Sequence, residues 1–339
     1  MPQNPPFRAQ LAALLAYRRS LLLGFSIALM ALTIYFVMSR SDERTLQLLL
    51  ATQNRSLLFS AALLVFVQNV VAGERWRTVL AASAYVRPPS LLSVQVVFYA
   101  SLFFNNLPLG SLGGDVARVW LGRRFGLPVS QLALSVLLDR ILTVLALIVL
   151  AVLTLPTIAH PLILAPWLGS AALLAGFASF VFLLPVVERI LDRWQGHRVV
   201  FWALRGAREF RLLRQSAGII GLCWALLSTI ASAVSAYCIA RSLDIQISPV
   251  TMIAVISVVA LVTALPISFA GWGVREASVV SLLALLRIDR EAALLLSVEF
   301  GLLSMAMSLP GGIIWLVLRE RRDAQVSSTN QNIAGELPE

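Results

Sequence analysis

The apolar residues of this chain come in long blocks, and two of them, Leu21–Met38 and Leu162–Leu184, each approach the roughly 20 residues needed to cross a bilayer. Backbone in hydrocarbon must satisfy its own N–H and C=O groups, so blocks of this kind fold as helices. Hydrophobic residues make up 59% of the 339 residues and charged residues only 13%, against about 45–50% and about 25% in a soluble domain. That leaves too little polar surface for an ordinary cytosolic enzyme. The expected class is an all-α polytopic membrane protein.

Apolar segments run over 21–39, 56–73, 90–107, 129–155, 162–184, 217–240, 249–266, 277–286 and 291–318. All 27 basic residues are Arg, and the net charge is +10. These Arg residues sit in short blocks beside the apolar segments, which fits the positive-inside rule and anionic headgroups better than nucleic acid. The stretch 185–215 alone holds Arg189, Arg193, Arg198, Arg205, Arg208, Arg211 and Arg214, so it is placed in the cytoplasm. With Trp194, Phe201, Trp202, Leu204 and Phe210 it reads as a basic amphipathic helix on the inner leaflet, or else as a solvated loop.

Treating every segment as a full crossing strands Arg118, Arg123 and Arg124 outside, and 277–286 is too short to span. The balance closes if 90–107 turns at Asn105–Gly114 and returns through 115–127, and if 249–266 turns at Ile267–Gly273 and returns through 275–287. Nineteen Arg, Arg75 and Arg118 among them, then lie inside and six outside, with Arg140 and Arg275 at membrane depth. The result is about six full transmembrane helices plus two re-entrant helical hairpins. Residues 1–20 form a cytoplasmic N-terminal segment, 21–318 the membrane domain, and 319–339 a disordered cytoplasmic tail. The first apolar run is too long for a signal-peptide core and lacks a small-residue cleavage site, so it reads as an uncleaved span.

The two turns are alike. In each, Leu-Pro (Leu107-Pro108 and Leu265-Pro266) is followed five residues after the Pro by a Gly, Gly113 or Gly271, and then by an Arg near the next helix start. Farther along each copy an acidic residue interrupts an apolar helix, Asp139 in one and Glu299 in the other. The copies, about 56–155 and 217–318, face opposite sides in this topology. That is an inverted repeat of the kind secondary transporters use.

Non-helical backbone at membrane depth has to be buried in protein or line a wet cavity. Pro108 and Pro266 break their helices, while Gly110, Gly113, Gly114, Gly271 and Gly273 permit positive φ and close approach of a ligand. Helix N-termini near Asp115 and Arg275 aim free N–H groups at that cavity. Arg118 and Arg275 then form a cradle for a phosphate headgroup, since guanidinium forks match phosphate oxygens. The bland alternative is that Asp115 with Arg118, and Arg275 with Glu276, pair locally to hold the turns. Asp139 and Arg140 serve either the cavity or a structural pair with the hairpin, and Glu299 is the better candidate for a proton- or cation-linked carboxylate. Asn105, Asn106 and Trp272 complete the candidate substrate-binding set.

Other chemistry is thin. Two His (His160, His197) and two Cys (Cys223, Cys238) make no metal site, both His fall outside the apolar segments, and no phosphate loop or dinucleotide fingerprint occurs. No cofactor is expected.

With these motifs in hand, the chain resembles the lysylphosphatidylglycerol synthase transmembrane-region family, also called the flippase-like domain family. The resemblance rests on Phe104-Asn-Asn-Leu-Pro108, Gly113-Gly-Asp-Val-Ala-Arg118, Ser135-Val-Leu-Leu-Asp-Arg140, Gly271-Trp-Gly-Val-Arg-Glu276 and Leu309-Pro-Gly-Gly312, and covers roughly residues 20–320. It implies movement of a lipid between leaflets of the bacterial inner membrane. In the best-known members a soluble aminoacyl-transferase domain follows. None follows the last span here, so a stand-alone member without synthase activity is expected. The partners implied are membrane lipids with anionic or zwitterionic headgroups, and a separately encoded lipid or sugar transferase. The competing functions are an integral membrane glycosyl or phosphate transferase, with Asp115, Asp139 and Glu299 as acids or bases, and a non-catalytic scaffold for a separate synthase. No Asp-x-Asp pair lies near the turns to support the enzyme.

Overall fold

A computed structural model describes residues 54–83, 89–105, 111–158, 216–264 and 274–335. The first span, the span 162–184, the connector 185–215, and Asn106, Gly271, Trp272 and Gly273 lie outside the described residues.

Eight α-helices make up the described structure: α1 (Arg55–Ser83), α2 (Leu91–Asn105), α3 (Ser111–Gly122), α4 (Val129–Thr154), α5 (Ser216–Ser242), α6 (Pro249–Ala264), α7 (Val274–Leu285) and α8 (Arg290–Gly335). Four of them, α1, α4, α5 and α8, hold stretches long and apolar enough to cross a membrane. The other four are short. At 1.5 Å per residue, α2 is about 22 Å long and α3 about 18 Å, less than the roughly 30 Å of hydrocarbon.

The helices divide into two sets of four, α1–α4 and α5–α8, and their contacts keep the same pattern when the sets are exchanged. Thus α2 packs on α8 as α6 packs on α4, and α2 lies against α3 as α6 lies against α7. Helix α1 meets its counterpart α5 in the most extensive contact among the described helices. This central crossing is close because the buried residues of α5 are Gly, Ala, Ser or Thr at every position but Ile239. Small side chains let backbones approach where lipid offers no hydrophobic drive to associate. At that contact the Ser235 hydroxyl donates to the Ala61 carbonyl at 2.9 Å.

The core forms one large cluster under α5–α8, around Ala236, Met252, Val255, Leu283 and Leu296, and a second around Trp76, Val97, Phe98, Leu121 and Leu132. Three short connections contain left-handed residues: Gly126 (φ 73°), Asp244 (φ 56°) and Arg287 (φ 59°). After Asp244 and Arg287 the next amide, of Ile245 or Ile288, reaches back to Ala240 or Leu283, closing the preceding helix with the six-to-one bond of a C-terminal cap.

Three expectations need correction. Helix α1 does not stop at 73 but runs to Ser83, which carries Arg75 and Arg77 into helix rather than into a cytoplasmic loop. A local Glu74–Arg77 pair (2.9 Å) and the burial of Trp76, Val79 and Leu80 sustain it. Gly113 and Gly114 are not turn residues with positive φ. Helix α3 begins at Ser111, and both glycines lie in its first turn. The stretch after 318 is helical to Gly335 rather than a disordered tail. Once a helix is nucleated, each further residue adds a bond at little extra entropy, and no Pro or Gly intervenes before Gly335.

Candidate functional site

Where α1, α3, α4 and α5 converge, five charged side chains and a serine form one network. Asp139, on α4, is 1% exposed and stands at its centre. Arg75 of α1 grips it with both arms, Nε donating to Oδ1 at 2.6 Å and Nη2 to Oδ2 at 3.2 Å. Its Nη1 also donates to the Ser228 hydroxyl of α5 at 3.4 Å, so the network ties the two sets of helices together. Arg118 of α3 reaches the same carboxylate, Nη1 to Oδ2 at 2.8 Å, and bonds Asp115 one turn earlier through Nη2. Arg140 closes the chain from α4, donating to Asp115 Oδ2 through Nε at 2.9 Å and to Oδ1 through Nη2 at 3.0 Å.

Burial makes these bonds matter. Arg75 is 6% exposed and Arg118 5%, and an ion at such depth is costly unless paired and hydrogen-bonded. Arg118 is further held over the rings of Trp76 (5.7 Å) and Phe98 (5.4 Å), where the aromatic quadrupole favours a cation. The Trp76 indole N–H donates to the Ser135 hydroxyl at 3.1 Å. The Arg118 guanidinium is thus locked between two carboxylates and two rings.

The two Asp are each shared by two Arg, giving three cations for two anions in this network. Arg140 differs from the others in that its side chain is 40% exposed. It lines a groove of about 490 Å³ between α3 and α4, with Asp115 and Arg123 beside it and Val116, Trp120 and Leu137 in the walls.

The other candidates are more scattered. Asn105 ends α2 with its Oδ1 buried and no hydrogen-bond partner for that atom among the described residues. A Cβ on Gly114 would overlap this side chain, so the glycine is there for close packing of α3 on α2. Arg275 and Glu276 pair within the first turn of α7, Nη2 to Oε1 at 2.7 Å, and the guanidinium rests on α8 where Gly301 leaves room. Glu299 is half-buried on α8. The local pairs weighed in the sequence, Asp115 with Arg118 and Arg275 with Glu276, are therefore both present. So is the pair between Asp139 and a hairpin Arg.

Sequence reasoning missed Arg75. The Arg balance counts it among the cytoplasmic charges, beyond the apolar segment 56–73. The usable signal is the apolar face continuing through Trp76, Val79 and Leu80 with no Pro to end the helix. Among the described residues no group of three His, Cys, Asp or Glu is placed to hold a metal.

A family model for the lysylphosphatidylglycerol synthase TM region matches residues 21–312. The chain belongs to that family. No curated protein gives a significant match. The buried network of this lysylphosphatidylglycerol synthase TM-region protein, including Arg75, Arg118, Asp139 and Arg140, lies wholly within the matched residues. Membership also places it among membrane proteins related to lipid metabolism or translocation.

Proposed function

We propose that this protein is a lipid translocase, moving a phospholipid or lipid-linked headgroup between leaflets of a bacterial inner membrane. The observation that carries the reading is the groove between α3 and α4, whose lining joins Asp115, Arg123 and Arg140 to apolar residues such as Val116, Trp120 and Leu137. An amphiphile needs both at once: charged groups for the headgroup and apolar side chains for the acyl region. In this proposal the pairs α2–α3 and α6–α7 are re-entrant hairpins of an inverted repeat, and both termini are cytoplasmic beside 185–215. The short helices and the exchange-invariant contacts support it, because helices too short to cross serve a transporter as discontinuous elements around its substrate site.

The transferase alternative is weakened by the same geometry. All four oxygens of Asp115 and Asp139 accept from guanidinium groups, so neither carboxylate is placed to take a proton from a substrate hydroxyl.

The test is purified full-length protein in liposomes carrying headgroup-labelled phospholipid, with a membrane-impermeant quencher outside. A translocase raises the quenched fraction above the outer-leaflet share. New lipid products point instead to a transferase, and no change in either measurement removes both activities. Topology is tested separately. A cysteine introduced by Arg205→Cys in a background without Cys223 and Cys238 is expected to resist impermeant maleimide in intact cells and to react after permeabilisation. Labelling in intact cells overturns the cytoplasmic placement.

A further inference from the structure

Five hydrogen-bonded steps lead from the groove to the contact between the two sets of helices. Arg140 forks onto Asp115, and Asp115 also receives Arg118. Arg118 reaches on to Asp139, Arg75 grips Asp139 from the other side, and Arg75 ends the chain at Ser228 of α5. Exposure falls along the way: the side chain of Arg140 is 40% exposed, that of Asp115 18%, Arg118 6% and Asp139 1%. The last step is the longest, at 3.4 Å. The Ser228 hydroxyl gives its own proton to the Ala225 carbonyl at 2.9 Å, which leaves its oxygen to accept from Arg75. Arg140 and Ser228 share no hydrogen bond, so bonding reaches from one to the other through the four residues between them.

We infer that this chain of bonds is a coupling device: the grip of Arg140 on Asp115 sets how firmly Arg75 holds Ser228, and with it how the two sets of helices are joined beside the network. The coupling goes beyond the translocation reading and holds whatever occupies the groove. Coupling of this kind needs an element with two discrete arrangements. Here it is Arg118, whose two arms lie on different carboxylates. Where Arg140 lets go, Asp115 Oδ2 loses its donor and draws the Arg118 fork wholly onto Asp115, because the bidentate pair is the stronger geometry. Asp139 then keeps Arg75 alone. As the one remaining counter-charge in a nearly dry site, Arg75 closes fully on that carboxylate. The arm that yields is Nη1, since a 3.4 Å bond to a neutral hydroxyl is weaker than a charge-assisted bond to a carboxylate. The second hydrogen bond across the α1–α5 crossing, from Ser235 to the Ala61 carbonyl, stands outside the chain. It lies seven residues farther along α5, about 10 Å at the helical rise, and shares no partner with the network.

The experiment is a pair of double-mutant cycles, read as melting midpoints of full-length protein in neutral detergent, with no ligand added. Ser228→Ala is made in the wild type and in Arg140→Gln, and Ser235→Ala is made in the same two backgrounds. In the wild type Ser228→Ala is expected to lower the midpoint by about 2–4 °C, the loss of a hydrogen bond from a buried charged donor. In Arg140→Gln the same change is expected to lower it by less than half as much, because Arg75 has already let Ser228 go. Ser235→Ala is expected to lower the midpoint equally in both backgrounds, as distant sites without shared partners do. If Arg140→Gln gives no folded protein, Arg140→Lys replaces it, since an ammonium keeps the charge but cannot fork onto both oxygens of Asp115. An equal loss from Ser228→Ala in both backgrounds overturns the inference. So does a matching shortfall at Ser235, which would show that the Arg140 variant loosens the whole crossing rather than this one chain of bonds.

Discussion

Replacing Asp139 by Asn is expected to destabilise the protein by about 3–5 kcal/mol, the cost of breaking a buried ion pair from one side. The substitution keeps the shape of the side chain and removes only the charge, but that charge neutralises Arg75 and Arg118 together. Both guanidinium groups are almost fully buried, so neither can turn to water to recover its solvation. The measurement is the melting midpoint of full-length protein in detergent, alongside the yield of monodisperse material. Combining Asp139→Asn with Arg75→Gln should lose less than the sum of the single changes, because the second substitution removes one of the stranded cations. A coupling of about 1–3 kcal/mol in that double-mutant cycle is the expected sign of direct contact. If Asp139→Asn melts within about 1 kcal/mol of the wild type, the network is not a structural element at all.

The second large effect is expected at Gly311. In an unconstrained helix, Gly→Ala stabilises by about 0.5–1 kcal/mol through backbone entropy. Here the sign reverses. A Cβ at 311 would overlap the Tyr99 carbonyl of α2, and backbone cannot swing aside as a side-chain tip can. Helix α8 must then withdraw from α2, also loosening the edge-to-face contact of Phe104 with Trp315 (5.5 Å). Gly311→Ala is expected to cost about 1–3 kcal/mol, the range for overpacking a close contact. Gly312→Ala is the internal comparison. Its Cβ would lie 3.0 Å from the Phe103 ring, which can tilt, so the loss should be smaller. Midpoints ranked the other way round would show that the α2–α8 contact is not the tight one.

The sites of these two effects differ in how far the sequence exposes them. Leu309-Pro-Gly-Gly312 stands out at once in an apolar run, and Pro310 removes a helix hydrogen bond whatever the fold. That Gly311 rather than Gly312 meets backbone depends on how α8 lies against α2, which no local pattern encodes. Asp139 is equally conspicuous, as an acid within an apolar helix that must find a partner or a cavity. The bland reading of it as one half of a pair with the hairpin is what the structure contains.

The four long apolar helices α1, α4, α5 and α8 follow from apolar block length, because bilayer thickness sets how many residues a crossing needs, whereas the short α3 is reached only through the Arg balance. The sequence therefore determined the class of protein and, among the described residues, the approximate positions of most helices, though not the end of α1. It could not decide which charges face water. Counting Arg by position treats Arg75 and Arg118 like Arg77, yet two are buried and one is not. The difference is made by Asp139, 64 residues from Arg75 in the chain and 2.6 Å away in space. A charge near a helix end is solvated or sequestered according to what the neighbouring helices bring beside it. Only the packing of α1, α3, α4 and α5 supplied that partner.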